Sequence, residues 1–169
     1  MIKPKIPLNE KERLEDLVST GLLDSKNEEE FNDFVDIASA IFDTPAALIS
    51  LIDKDRQWYK SRKGISSRET PRELSFCAHA INNPHQPFIV ENSLIDERFK
   101  DNPLVIDEPN VVFYCGVPIV SPKGNALGTL CVIDHTPRSA RRDKVEALQK
   151  LAKRLIELIE HKRSIKDGD

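Results

Sequence analysis

Thr70-Pro71-Arg72-Glu73-Leu74-Ser75-Phe76-Cys77-Ala78-His79-Ala80-Ile81 is the stretch on which the reading of this chain turns. Thr70, Pro71 and Glu73 make a helix start: a hydroxyl cap, a proline at the first helical position and a carboxylate reaching back. The spacing predicts a helix over 70–81 with two unlike faces. Leu74, Cys77, Ala78 and Ile81 fall on one side, and Arg72, Ser75, Phe76 and His79 on the other. A ring, an imidazole and a guanidinium together suggest that this second side also looks at something. The segment reads as a lid between a core and a pocket.

Working outward, the whole chain of 169 residues fits one domain, large enough to bury a core without staples. Charged residues make up 31% and the net charge is −3, with acids and bases interspersed, which excludes a strongly basic nucleic-acid footprint. The longest apolar run, Ala46 to Ile52, is far too short to cross a bilayer. Met1-Ile2-Lys3-Pro4 lacks the apolar core of a signal peptide. Three cysteines, an odd number without paired spacing, argue for a reducing compartment. A cytoplasmic globular domain is expected, with no membrane and no nucleic acid as partner.

Before the lid, Asn9 with Glu12 and Asn27 with Glu30 each make a capping box. The first opens a helix that Gly21 stops. The second opens a helix with Phe31, Phe34, Val35, Ala38, Ile41 and Phe42 on one face, ended by Pro45. Ala46 to Ile52 reads as a buried strand, and Gln57 to Arg62 as its hairpin partner. After the lid come a short strand at Phe88 to Val90 and a helical turn over Ser93 to Phe99, capped by Ser93. Val111 to Val120 and Ala126 to Asp134 form a hairpin across the turn Ser121 to Asn125. A long helix runs from Arg141 to about His161, and residues 164–169 are expected to be disordered. The pattern is α+β, with helices on one side of an antiparallel sheet.

Four runs in this order resemble the GAF domain: the lid stretch itself, Asp96-Glu97-Arg98-Phe99 with Asn102-Pro103, Phe113 to Pro118, and Leu127 to Asp134. They are similar to bacterial GAF domains found alone or ahead of sensor-kinase and diguanylate-cyclase modules. The resemblance covers about residues 9–161 of a single domain. It implies a PAS-like central antiparallel sheet of about six strands. The terminal helices would pack on one face, and lid segments would cover a ligand pocket on the other. No particular ligand or cofactor is implied, because the family binds cyclic nucleotides, bilins, haem, small acids or nothing. Asp107-Glu108 lacks the Asn-Lys pair and spaced Phe of cyclic-nucleotide-binding members. The residue set that accompanies bilin attachment is not visible around Cys77.

Several residues carry candidate chemistry. Trp58, Phe76, Phe99, Phe113 and Tyr114 line an apolar cavity or, where they face the helices, plain core. Arg62, Arg72 and Arg98 supply guanidinium groups for an anionic ligand, unless Arg98 pairs with Asp96 or Glu73 and locks the lid. His79 hydrogen-bonds within the pocket wall or caps a backbone group. Counting back from the turn sets Cys115 opposite Cys131, as a redox pair or as two small hydrophobes in a core. Cys77, Cys115, Cys131, His79 and His135 contain no Cys-x-x-Cys or His-x-x-x-His unit, so no metal site is expected. Gly116 and Gly128 inside strands mark either room for a ligand or a bend.

The expected function is a non-catalytic, small-molecule-sensing domain with a ligand site at Trp58, Arg72, Phe76, Cys77, His79, Asp96, Arg98, Phe99, Phe113, Tyr114 and Cys115. The signal would pass through a homodimer of terminal helices to a separate output protein. Val145, Leu148, Leu151, Ala152, Leu155, Leu158 and Ile159 trace two seams on the last helix, one for the sheet and one for a second copy. Two alternatives stand beside this. One is a free methionine-R-sulfoxide reductase, a GAF branch whose cysteine spacing this chain does not match, with Cys77 as nucleophile. The other is a ligand-free dimerisation module whose pocket has filled with side chains.

Overall fold

Seven residues in a row, Ala46–Ile52, are apolar or small, and all seven side chains are buried. Such a run suits a strand covered on both faces. In the computed structural model this strand, β1, lies inside a six-stranded sheet of order β3-β2-β1-β6-β5-β4. The other strands are β2 (Arg56–Lys63), β3 (Glu69–Pro71), β4 (Phe88–Val90), β5 (Phe113–Val120) and β6 (Ala126–Asp134). All pairings are antiparallel. Residues 1–167 are described, with side chains to residue 165.

Helices α1 (Glu10–Ser19), α2 (Glu29–Phe42) and α5 (Arg142–Asp167) form the layer on one face. Leu17 from α1, Phe31, Val35 and Phe42 from α2, and Leu148, Leu155 and Ile159 from α5 meet Ile49, Leu51, Val117 and Leu130 from the sheet. The other face carries the short helices α3 (Phe76–Ala80) and α4 (Pro103–Ile106) and the loops between them. The expected α+β architecture, with terminal helices on one face and lid segments on the other, is present.

Local details differ from the sequence reading for identifiable reasons. The lid helix begins at Ser75, not Thr70, because Ser75 Oγ accepts the amide of Ala78 at 3.0 Å. Thr70 instead joins an edge strand opposite Gln57, where Pro71 is tolerated at the strand end. Arg72–Leu74 is a 3-10 turn between the two. Neither capping box forms. Asn9 bonds Asn125 in the β5–β6 turn, and Asn27 bonds the side chain of Asn32 within α2, so neither side chain caps a helix amide. The turn at Ser93–Ile95 is capped by Asn92, while the Ser93 hydroxyl donates to the carbonyl of Val111. At the C-terminus, α5 continues through residues 164–167, which were expected to be disordered; residues 168 and 169 lie outside the described residues.

The β5–β6 hairpin carries a bulge. Val120 faces Ala126 as counted, but Ile119 faces Gly128, leaving Leu127 as the extra residue. One inserted residue reverses the side-chain sense of everything beyond it. Cys115 therefore pairs with Val132 and Gly116 with Cys131. The expectation of Cys115 opposite Cys131 is corrected: the two thiols lie on opposite faces of the sheet. Gly128 at the bulge permits a close strand crossing, since a Cβ there would sit 1.8 Å from the carbonyl oxygen of Ser50.

Candidate functional site

Strand alternation decides which predicted site residues reach the lid. Phe113 and Cys115 point into the helical layer, and Tyr114 between them points to the lid. Trp58 packs on the helix-side core, because Gln57 and Tyr59 take the lid side of β2. Arg72 is nearly fully buried, yet it turns toward α1. Its guanidinium pairs with the Glu10 carboxylate and donates to the carbonyl of Asp53 at 3.0 Å. Glu10 also holds Arg13, whose Nη2 reaches the carbonyl of Ile52 at 2.7 Å. Trp58, Arg72, Phe113 and Cys115 are thus corrected from pocket to scaffold positions.

The remaining seven come together. Phe76 stacks on Phe99 with centroids 4.0 Å apart and leans on Tyr114 at 5.3 Å. The His79 ring meets Phe99 edge-on at 4.9 Å. Arg98 lies over Phe88 and Phe99, held by two bonds to Asp96 at 2.7 and 3.0 Å. Of the two readings for Arg98, the Asp96 pairing is the one present, and Arg98 in turn holds the Asp96 carboxyl below the usual range. His79 Nε2 sits 3.1 Å from the carbonyl of Ile2, and the amide of Ile2 donates to the carbonyl of Arg98 at 3.0 Å. The N-terminal segment therefore straps the outside of the lid. Burial pushes the His79 pKa down, against the opposing pull of the Ile2 carbonyl.

Beneath the lid is a polar layer that the sequence reading missed. Gln57 accepts from Ser50 and Ser75 at 2.9 and 2.7 Å, and donates to Tyr59 and Thr70 at 3.0 and 2.6 Å. Next to it, Tyr114 and Thr129 direct hydroxyl groups at Cys77 Sγ, 3.1 and 3.0 Å away. The phenol can lie along its strand because residue 116 is glycine: a Cβ there would stand 2.1 Å from the Tyr114 hydroxyl. Ser50 within an apolar run, and Gln57 and Thr129 at buried strand positions, were the available signals. A polar side chain on the inward face of a strand needs partners.

The thiols differ sharply. Burial raises the pKa of Cys77, but bonds from Cys131, Ser50, Thr129 and Tyr114 outweigh it and bring the thiol down to about 7. Burial pushes Cys131 well up. Cys115, on the helical side, is raised to about 12 by burial alone. Cys77 and Cys131 are 4.0 Å apart, and all three cysteines are free.

Cavities complete the geometry. A space of about 20 Å³ lies under the lid between Gln57, Tyr59, Phe76, Cys77 and Tyr114. It holds no more than one water-sized molecule. Ile65 and Pro109 line both this space and an outer cleft of about 760 Å³ between the Gly64–Ser67 loop and the Glu108–Asn110 turn. Arg72, His79, Trp58 and Phe99 do not border the inner space. Among the described residues, no group of three or more His, Cys, Asp or Glu is placed to hold a metal ion. No described helix is long and apolar enough to cross a membrane.

Comparison with known proteins agrees with this geometry. Residues 27–157 match the GAF domain family. A cyclic di-GMP phosphodiesterase of Pseudomonas aeruginosa is 40% identical over 161 residues, which are 95% of this chain. The chain spans 26% of that protein's length. The GAF domain of Thermosynechococcus elongatus PixJ, in its blue-light-absorbing form, superposes with a TM-score of 0.67 at 14% identity, covering 97% of this chain and 95% of that one. The GAF domain of an Acinetobacter phosphoenolpyruvate-protein phosphotransferase gives 0.66 at 17%, covering 93% and 96%. At those identities the two structures speak for the fold alone. With the matched region, the sheet order and the two-faced layering in agreement, this chain belongs to the GAF domain family.

Proposed function

We propose that this chain is a sensory domain that admits a small molecule between lid and sheet and reports it through the helices on the opposite face. The observation that carries this reading is the polar layer under the lid. Gln57, Ser50, Ser75, Tyr59, Thr129 and Tyr114 gather hydrogen-bonding groups at one buried place, beside a cavity under the lid. Sites for small molecules combine an apolar wall with a few convergent polar groups in this way. No charged side chain lines the inner space, and Arg72 and Arg98 are engaged by Glu10 and Asp96. The ligand is therefore an uncharged, largely apolar molecule with one or two hydrogen-bonding groups. It enters past Ile65 and Pro109, displacing Phe76.

The transmission step follows the same division. Leu151 and Leu158 of α5 are only half-buried, and Val18 and Ile37 on α1 and α2 are exposed, so the helical layer offers apolar surface to a second copy. A homodimer through these helices would carry lid movement to a signalling output. The similarity to part of a phosphodiesterase in Pseudomonas aeruginosa supports such a role within signalling.

One observation favours a second reading. A cavity of about 20 Å³ is the volume expected of a ligand-free module whose pocket is filled by its own side chains. Native mass spectrometry of the chain purified from a bacterial host separates the two. A co-purifying small molecule, absent from the Gln57→Leu variant, supports sensing. A bare protein whose melting temperature is unmoved by a library of neutral aromatic metabolites supports the filled module. Light scattering at micromolar concentration tests the dimer, and a strict monomer would contradict it.

A further inference from the structure

We propose that Cys77 and Cys131 are a peroxide-responsive dithiol, which closes to a disulfide and draws the lid helix onto the sheet. The proposal is independent of the organic-ligand reading. It stands on three placements. First, residues 54 apart in sequence bring two free sulfurs to 4.0 Å, one from the lid and one from β6. Second, Cys77 Sγ is an acceptor for two hydroxyl groups, those of Tyr114 and Thr129. Donors aimed at sulfur favour the thiolate, the nucleophilic form. Third, Cys77 borders the inner space of about 20 Å³, which admits only the smallest molecules and shares Ile65 and Pro109 with the outer cleft. A small neutral oxidant can reach this sulfur where a bulky reagent cannot.

The chemistry balances in two steps. Cys77 thiolate attacks one oxygen of hydrogen peroxide, the O–O bond breaks, and hydroxide leaves. It takes up the proton that Cys77 had released, giving one water and a sulfenic acid. Cys131 sulfur then attacks the Cys77 sulfur. The S–O bond breaks, and the departing hydroxide takes the Cys131 proton as a second water. Two thiols are oxidised by two electrons, and one peroxide is reduced to two waters. Closing the sulfurs to a bonding distance of about 2 Å moves them together by roughly the same amount. The moving part is α3, five residues long and held at its start by the Ser75 cap. Phe76 and His79, its neighbours on that helix, move with it. Cys115 lies on the far face of the sheet and takes no part.

The test uses the full reduced chain. After exposure to hydrogen peroxide at neutral pH, the protein is acid-quenched, denatured and alkylated, then weighed intact and mapped by peptide. The expected result is an intact mass of the chain plus one alkyl group less about 2 Da, the mass of two hydrogens, against three alkyl groups for the reduced control, with a linked peptide joining Cys77 to Cys131 and an alkylated Cys115. Cys115→Ser should react at the wild-type rate. Thr129→Val should slow the reaction about tenfold, the scale of one hydrogen bond to a charged group, while Thr129→Ser restores it. A bulky hydroperoxide should react more slowly than hydrogen peroxide. A disulfide involving Cys115, absence of the Cys77–Cys131 link, or oxidation no faster than global unfolding would each overturn the proposal. So would equal rates for Thr129→Val and Thr129→Ser.

Discussion

The two faces of one sheet are built from the same strands and behave differently. On the helix side, Phe31, Phe42, Leu148 and Leu155 lie at 0–1% exposure in a large apolar layer edged by ion pairs at Asp16 and Lys60, and Cys115 sits in that layer with its pKa at about 12. On the lid side, aromatic rings share the interior with amide, hydroxyl and thiol groups, and Cys77 stands near 7. Three long helices cover the first face, and a five-residue helix, short turns and an N-terminal strap cover the second. The first is a scaffold of many apolar contacts under long helices, with ion pairs at its edges. The second is held by a few directional bonds, so it can open without unfolding the rest.

This contrast can be broken most severely on the scaffold. Leu148→Ala is expected to lower stability by about 2–5 kcal/mol in urea unfolding, because α5 and the sheet cannot collapse into the gap. Phe76→Ala removes a larger side chain yet should cost less than Leu148→Ala, since lid segments can relax over the space. A larger loss for Phe76 would erase the distinction between the faces.

Gly116→Ala should cost about 1–3 kcal/mol by crowding the Tyr114 ring. It should also move the phenol off Cys77 and raise that thiol's apparent pKa, read from the pH dependence of peroxide reaction. In the wild type that rate should rise with a midpoint near 7. A midpoint near 8.5, as for a free cysteine, would mean that the hydroxyl groups do not act on the sulfur.

Acid should weaken the scaffold through Asp16, which binds Asn125 at 2.9 Å and Arg163 at 2.7 Å. Burial raises its pKa, but bonds from Ser121, Asn125 and Arg163 prevail and leave it below the ordinary 3.8. A depressed folded value means stability that is full above 3.8 and lost as pH falls through the folded pKa. Asp16→Asn should flatten that acid limb in urea titrations. At the small end, Arg154→Ala on the exposed face of α5 should change stability by less than about 0.5 kcal/mol, its pair with Glu157 being solvent-screened.

The sequence disclosed the layers better than the contacts. The period of α2 and the apolar run of β1 follow from burial of a face, which composition records directly. Strand alternation could have sent Phe113 and Cys115 away from Tyr114, but the bulge at Leu127, marked in the sequence only by Gly128 beside it, reversed the cysteine pairing. Thr70 looked like a cap because Pro71 and Glu73 follow it; a strand partner 13 residues earlier, Gln57, decided otherwise. Arg72 carried the chemistry of a ligand group, and a distant Glu10 claimed it. Long-range partners set the site, and spacing along the chain does not reveal them.

Native-state amide exchange across low denaturant concentrations tests the division of the two faces most directly. The amides of Ala78 and Ile81 on the lid should exchange through a sub-global opening, with weak dependence on denaturant. Those of β1 and β6 should exchange only by global unfolding. Lid and sheet amides converging on one free energy and one denaturant slope would contradict it.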